Sequence, residues 1–201
     1  MRRRFIFAAM AALVASGARA AEPTWSPPAT EHEAQAAPAW ASDITSSLSV
    51  GDPAPAFSYL GIDGGWHDSR GLWANGPVLL VFGAAREQLV ELDRARSALG
   101  DLGVRTAAVL DMRAGSAAKL ARRLELALGV VVDPQCAIAG LYGSIDPVTR
   151  HHAPSFFVLD ARGTIRGGGR GPLPPMRRLS TITARSLGQP LPVSWSPAVP
   201  E

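Results

Sequence analysis

A chain of 201 residues with 47% apolar and 18% charged residues is long enough for one domain with a real core, and its composition excludes a fibre or a wholly disordered polymer. Four of its 20 basic residues, Arg2, Arg3, Arg4 and Arg19, lie in the first twenty positions, so the rest carries 16 basic against 17 acidic residues; near neutrality and the lack of a basic cluster with interleaved aromatics argue against nucleic acid or an anionic membrane as partner. The single cysteine, Cys136, rules out an intramolecular disulfide, so stability has to come from apolar packing.

The opening stretch MRRRFIFAAMAALVASGARA combines three arginines, an apolar run from Phe5 to about Ala15 and the small-residue pattern Ala18, Arg19, Ala20. That is the layout of a secretory signal peptide cleaved after Ala20. The run is short for a bilayer, and no other segment reaches the roughly 18–20 apolar residues of a transmembrane helix. The expectation is an exported chain, periplasmic or extracellular, with no membrane span after cleavage. Residues 21–47, rich in Ala, Pro, Ser and Thr, read as a flexible linker in which Trp25 and Trp40 are loosely held.

Residues 48–187 alternate strand and helix patterns. Phe57 to Leu60 and Trp66 flank a turn at Asp63, Gly64 and Gly65, which predicts a hairpin, with His67 and Asp68 in a following loop. Pro77 to Phe82 is continuously apolar, as a strand covered on both faces requires, and Leu89, Leu92, Ala95 and Leu99 then recur at helical spacing until Gly100 or Gly103. Val104 to Leu110 predicts a second buried strand, and Ser116 to Leu126 a helix with Leu120 and Leu124 on one face. Residues 129–133, GVVVD, read as a short strand. Asp133 and Pro134 then predict an N-cap and a proline at N1, opening a helix that has Ile138 and Leu141 on one face, places Cys136 near its third position and ends at Gly143.

Residues 155–167, SFFVLDARGTIRG, predict a second hairpin turning at Asp160, Ala161, Arg162 and Gly163, with Gly167, Gly168 and Gly169 read as flexible. Residues 188–201, GQPLPVSWSPAVPE, read as an irregular Pro-rich tail. Helical crossovers make the central strands parallel and the hairpins add antiparallel ones, giving an α/β class with a mixed sheet and helices on both sides.

Four phrases, VGDPAPAFSYLGIDGG, SRGLWANGPVLLVFGA, DPQCAIAGLYG and APSFFVLDARGTIR, resemble the alkyl hydroperoxide reductase and thiol-specific antioxidant family, the redoxins or peroxiredoxin-like proteins. The resemblance covers about Val50 to Pro174. It implies a thioredoxin-like three-layer α/β/α fold with a mixed central sheet. It also implies that Pro154 is a cis-proline facing the active-site loop, freeing a backbone edge on which an extended peptide can pair. Finally, it implies a cysteine where the PVLLVF strand runs into its helix, because the helix dipole and free amides stabilise a thiolate there.

The chain departs from the family at that point. GAAREQLV contains no Cys, Ser or Thr, and the junction carries Ala84, Ala85, Arg86 and Glu87. Arg86 reads as a solvated first-turn side chain, and Glu87 has the wrong charge to favour a thiolate. The first functional expectation is therefore a pseudoenzyme: a binding or assembly module of the cell envelope with a protein partner, its groove formed by Pro154, Ala153, His152, Ala85 and Arg86. The alternative is a one-cysteine antioxidant or oxidoreductase using Cys136 as its redox thiol, placed near the positive end of its helix; the apolar neighbours Ala137, Ile138 and Ala139 suit a small buried hydrophobe better. His151 and His152 point in different directions in an extended chain, and neither a metal-ligand spacing nor a cofactor motif is present, so no metal and no cofactor are expected.

Overall fold

The computed structural model describes residues 48–190. The expected signal peptide and linker, and the expected tail from residue 191 onward, lie outside the described residues. Runs without polar alternation form the middle of the sheet: β3 (Val78–Phe82) and β6 (Ser155–Leu159) are buried throughout, and β4 (Arg105–Leu110) and β5 (Gly129–Val132) are buried after their first residue. With β1 (Ser58–Gly61), β2 (Trp66–Asp68) and β7 (Ile165–Arg170) they make a seven-stranded sheet in the order β2-β1-β5-β4-β3-β6-β7. The β5-β4-β3 neighbours are parallel and the other pairs antiparallel. This is the expected thioredoxin-like arrangement.

The helices α2 (Arg86–Asp101) and α3 (Ala114–Arg123) each link parallel neighbours in the same sense across the sheet, so the right-handed crossover rule puts them on one face. There Leu89, Leu92 and Leu99 of α2 bury against Leu79, Val81, Ala108 and Phe156, joined by Leu179 of a last helix, α5 (Met176–Ser186). The opposite face holds Leu80, Phe82, Val109 and Phe157 under the short helices α1 (Arg70–Trp73) and α4 (Ala137–Leu141). At its centre Tyr142 is wholly buried, 5.0 Å from the Phe157 ring and 5.4 Å from Phe82. Its hydroxyl donates to Pro55 O at 3.2 Å, and burial pushes the phenol pKa well up.

Several local expectations are corrected. The helix predicted over 116–126 runs from Ala114 to Arg123 and buries Ala117 and Ala121, with Leu120 only partly buried beside them; small side chains let its backbone lie close to the sheet. Gly167, Gly168 and Gly169 are buried strand residues of β7, and a Cβ on Gly167 would stand 2.2 Å from Ser186 Oγ. Bare backbone there is what lets α5 cover the strand. Helix α5 leaves no apolar periodicity in the sequence, because its buried stripe of Leu179, Ser180, Thr183 and Ala184 is half polar. His67 and Asp68 belong to β2, with His67 Nε2 3.0 Å from both oxygens of Asp63 and its ring stacked on Tyr59.

Candidate functional site at the carboxyl ends of the parallel strands

Ligands of open α/β sheets collect outside the carboxyl ends of the parallel strands. Here the chain leaves β3 at Gly83, β4 at Asp111 and β5 at Asp133, and the loop that enters the antiparallel β6 arrives at the same end with His151 to Pro154. Gly83 fixes the contact between the two loops. Its φ of +61° is left-handed, and a Cβ would lie 2.8 Å from Pro154 N, 2.9 Å from Ala153 C and 3.0 Å from His152 O. Only glycine meets both demands. Ala85, Arg86 and Pro154 are exposed and Ala153 is half-buried around that contact.

The Ala153–Pro154 bond is trans: no peptide bond among the described residues is cis. The expectation of a cis-proline is therefore corrected. Ala153 N donates to Ser144 O at 2.8 Å and Pro154 O accepts from Gly171 N at 2.8 Å, so a run of ordinary backbone pairing carries the loop into β6. Behind it the hydroxyl of Ser155 donates to that of Ser144 at 2.7 Å, both fully buried.

His152 does not line the groove with its side chain. Its ring turns inward, edge-on to Phe82, with Nε2 3.0 Å from Asp133 Oδ2, both side chains 3% exposed. Nδ1 lies 3.3 Å from Val109 O. Each ring nitrogen thus faces an oxygen, that of a carboxylate on one side and of a backbone carbonyl on the other. Asp133 also accepts from Ile138 N at 3.2 Å and Ala139 N at 2.9 Å. Burial raises the Asp133 pKa, but the His152 hydrogen bond and these two amides outweigh it and hold the carboxyl below its ordinary value. The expected N-cap is corrected: the helix begins only at Ala137, with Cys136 at the N-cap position and Pro134 outside it, and Asp133 reaches the first-turn amides across the intervening turn.

That turn decides the state of Cys136. The residue precedes α4 in left-handed backbone, φ 54°, and its thiol is buried. Burial raises the thiol pKa, the charges of Asp111 and Asp133 raise it further, and Arg150 opposes them. The expected position inside the first turn is corrected, since Cys136 stands before the helix; its burial is that of the small hydrophobe its apolar neighbours suit. His151 points outward and pairs with Asp111, Nδ1 to Oδ2 2.6 Å. The two histidines face opposite ways, as their adjacency requires, and among the described residues no three His, Cys, Asp or Glu side chains gather as a metal site.

At the head of α2 the geometry for a thiolate persists without a thiol. No side chain caps this helix; Ala85 has nothing to accept with, and Gln88 Oε1 reaches back to Ala85 N at 2.8 Å. The first-turn amides and Arg86 present positive potential, offset by Glu87. Such a surface can hold a carbonyl or an anion and cannot attack one. The Asp133–His152 pair and the Ser144–Ser155 contact escaped the sequence reading, since nothing in residue spacing marks partners that far apart.

The profile of the AhpC/TSA family matches residues 50–167. Among curated proteins there is no significant match. Solved structures that are similar include the peroxidoxin BcpB of Mycobacterium tuberculosis, with a TM-score of 0.62 and 15% identity over 69% of this chain and 96% of that one. AhpC of Enterococcus faecalis scores 0.61 at 13% identity, covering 69% and 92%. A putative thiol:disulfide interchange protein DsbE of Chlorobium tepidum scores 0.57 at 23% identity, covering 70% and 99%. These likenesses carry the fold, and the profile match over more than half the sequence carries the family: the chain belongs to the AhpC/TSA family, as a member whose helix-starting junction has alanines in place of the cysteine.

Proposed function

We propose that the protein is an exported, non-catalytic binding or assembly module of the cell envelope, working through the face formed by Ala85, Arg86, Ala153 and Pro154. The observation that carries this reading is the junction itself: Gly83 still seats the β6 loop against the head of α2, while Ala84 and Ala85 stand where a redoxin keeps its nucleophile. His152 serves that face from behind, holding the loop through Asp133. The partner is a protein whose extended segment offers backbone carbonyls or a carboxylate to the α2 amides and Arg86. Export is supported by the signal-peptide pattern of residues 1–20.

The test is site-specific photo-crosslinking in cells, with the crosslinker at Ala85 and, as a control, at the exposed Lys119 of α3. A discrete adduct from Ala85 that is absent from Lys119 and lost on Arg86→Glu is expected, in the envelope fraction. No adduct, or one indifferent to Arg86→Glu, defeats the proposal. The alternative, redox chemistry at Cys136, requires a thiol that is open to reagents, whereas this one is buried with a raised pKa.

A further inference from the structure

The last strand and the helix after it concentrate positive charge. Residues 48–160 hold ten basic and twelve acidic residues, whereas residues 161–190 hold six arginines and no Asp or Glu. Two of the six, Arg177 and Arg178, lie in the first turn of α5, where no acidic residue offsets them. Only five residues separate that helix from Arg170, the last residue of β7.

Folding alone does not explain Arg170. Its Nε is sealed from solvent and has no hydrogen-bond partner. Among the described residues no carboxylate pairs with it, and burial alone lowers its pKa. The side chain is only partly buried, so its Nη end reaches solvent. A desolvated charge without a partner costs stability, and a methionine would fill much of the same space without that cost. The strand register places the group. Phe82, Ser155 and Arg170 stand opposite one another on β3, β6 and β7, a row whose side chains leave the sheet on the face that carries Tyr142 and α4. Gly171 N donates to Pro154 O at 2.8 Å, which ties the end of β7 to the loop of the binding face. Arg86 heads α2 on the other side of the sheet. The Ala153–Pro154 loop, entering β6 between β3 and β7, therefore runs between the two arginines, and the pair suits an extended ligand that crosses the end of the sheet, not one compact anion.

We propose that the segment bound across this end of the sheet is an acidic, extended peptide, and that one of its carboxylate side chains docks end-on against the Nη atoms of Arg170. The inference rests on the reading of Ala85, Arg86, Ala153 and Pro154 as a binding face and names the chemistry of its partner. A planar guanidinium takes a carboxylate through two parallel N–H···O bonds. The arginine-only charge of β7 and α5 attracts an acidic chain to this corner and repels a basic one.

The experiment is an NMR titration of the isotope-labelled full chain, read at the Arg170 Nε–H cross-peak, which is identified by its loss in Arg170→Met, and at the Gly171 amide. The probes are the acetylated and amidated peptide Glu-Val-Glu-Val-Glu, its all-glutamine counterpart, and that counterpart with a free terminal carboxylate. A saturable shift of both peaks with the acidic peptide alone is expected. Arg170→Met should weaken binding, followed at Gly171, by about tenfold or more, the worth of a hydrogen bond to a charged group. It should leave the denaturant midpoint unchanged or raise it, since it removes an unpaired charge. No saturable shift, an equal response to the all-glutamine amide, a response to the free terminal carboxylate alone, or a lower midpoint for Arg170→Met would overturn the proposal. So would Arg170-dependent binding to phosphatidylglycerol vesicles without binding to the acidic peptide. Peptide binding through Arg170 with no adduct from Ala85 in cells would support this site and remove the envelope-partner reading; an adduct from Ala85 with Arg170 indifferent to the peptide would remove this site alone.

Discussion

Asp133→Ala is expected to be among the most damaging single substitutions in the chain. The carboxylate is 3% exposed and accepts from Ile138 N, Ala139 N and His152 Nε2. Alanine leaves two buried amides and a buried imidazole unpaired, at roughly 1–3 kcal/mol each before the surroundings relax. Breaking a buried pair by removing one partner costs about 3–5 kcal/mol, and we expect a loss in that range at pH 7, at least about a fifth of a typical stability of about 5–15 kcal/mol. Asp133→Asn keeps one oxygen, enough for Ala139 N and His152 Nε2 at the Oδ2 position, while opposing its NH2 to Ile138 N, so its cost should be smaller, roughly 2 kcal/mol.

Acid supplies a second arm. The native carboxyl titrates below the ordinary value of 3.8, so between the two values the unfolded chain binds more protons than the native one. The stabilisation from Asp133 is complete above 3.8 and is lost as pH falls through the native pKa. Urea denaturation followed by circular dichroism at neutral pH and again below pH 3.8 reads both effects. If Asp133→Ala costs less than about 0.5 kcal/mol at pH 7, the cost of an ordinary surface change, or if its deficit fails to shrink in acid, the description of this pair as a buried staple is wrong.

Gly83→Ala should destabilise by about 2 kcal/mol or more, since left-handed backbone alone costs about 1–2 kcal/mol and the new Cβ meets Pro154 N at 2.8 Å; denaturant midpoints check it, and wild-type stability would show that the loops part easily. Ala85→Cys places a thiol at the uncapped head of α2, where its pKa should fall below about 8.5. The pH dependence of its alkylation measures this, with Cys136 as internal control: Cys136 should react with a thiol reagent only on unfolding, and rapid labelling of the native wild-type chain would return it to candidacy as a redox thiol.

Much of the framework is legible locally. VLLVF, VRTAAVL and SFFVL carry no polar alternation, and strands with two covered faces leave no other choice. Leu89, Leu92 and Leu99 mark their helix because their spacing needs no knowledge of what they face. Failures fall where burial is achieved by residues without an apolar signature: Ser180 and Thr183 in α5, the glycines of β7, the alanines of α3. Pro154 is a different case, since a family analogy supplies the cis bond and the Ala153–Pro154 peptide is trans.

The sequence by itself determined the order of the central strands and of the helices between them, the fold class and the loss of the nucleophile, because periodicity and the identity of a residue at a strand–helix junction are local properties. Tertiary structure decided the rest of the site. Asp133 meets His152 across 19 positions, Asp111 meets His151 across 40, and Val109 meets His152 across 43. Which way each histidine turns, and whether Cys136 is open or closed to solvent, depends on the three-dimensional closure of β4, β5 and β6 at one end of the sheet. A buried charge is tolerated only with its partner in place, and that partner is supplied by the loop that enters β6.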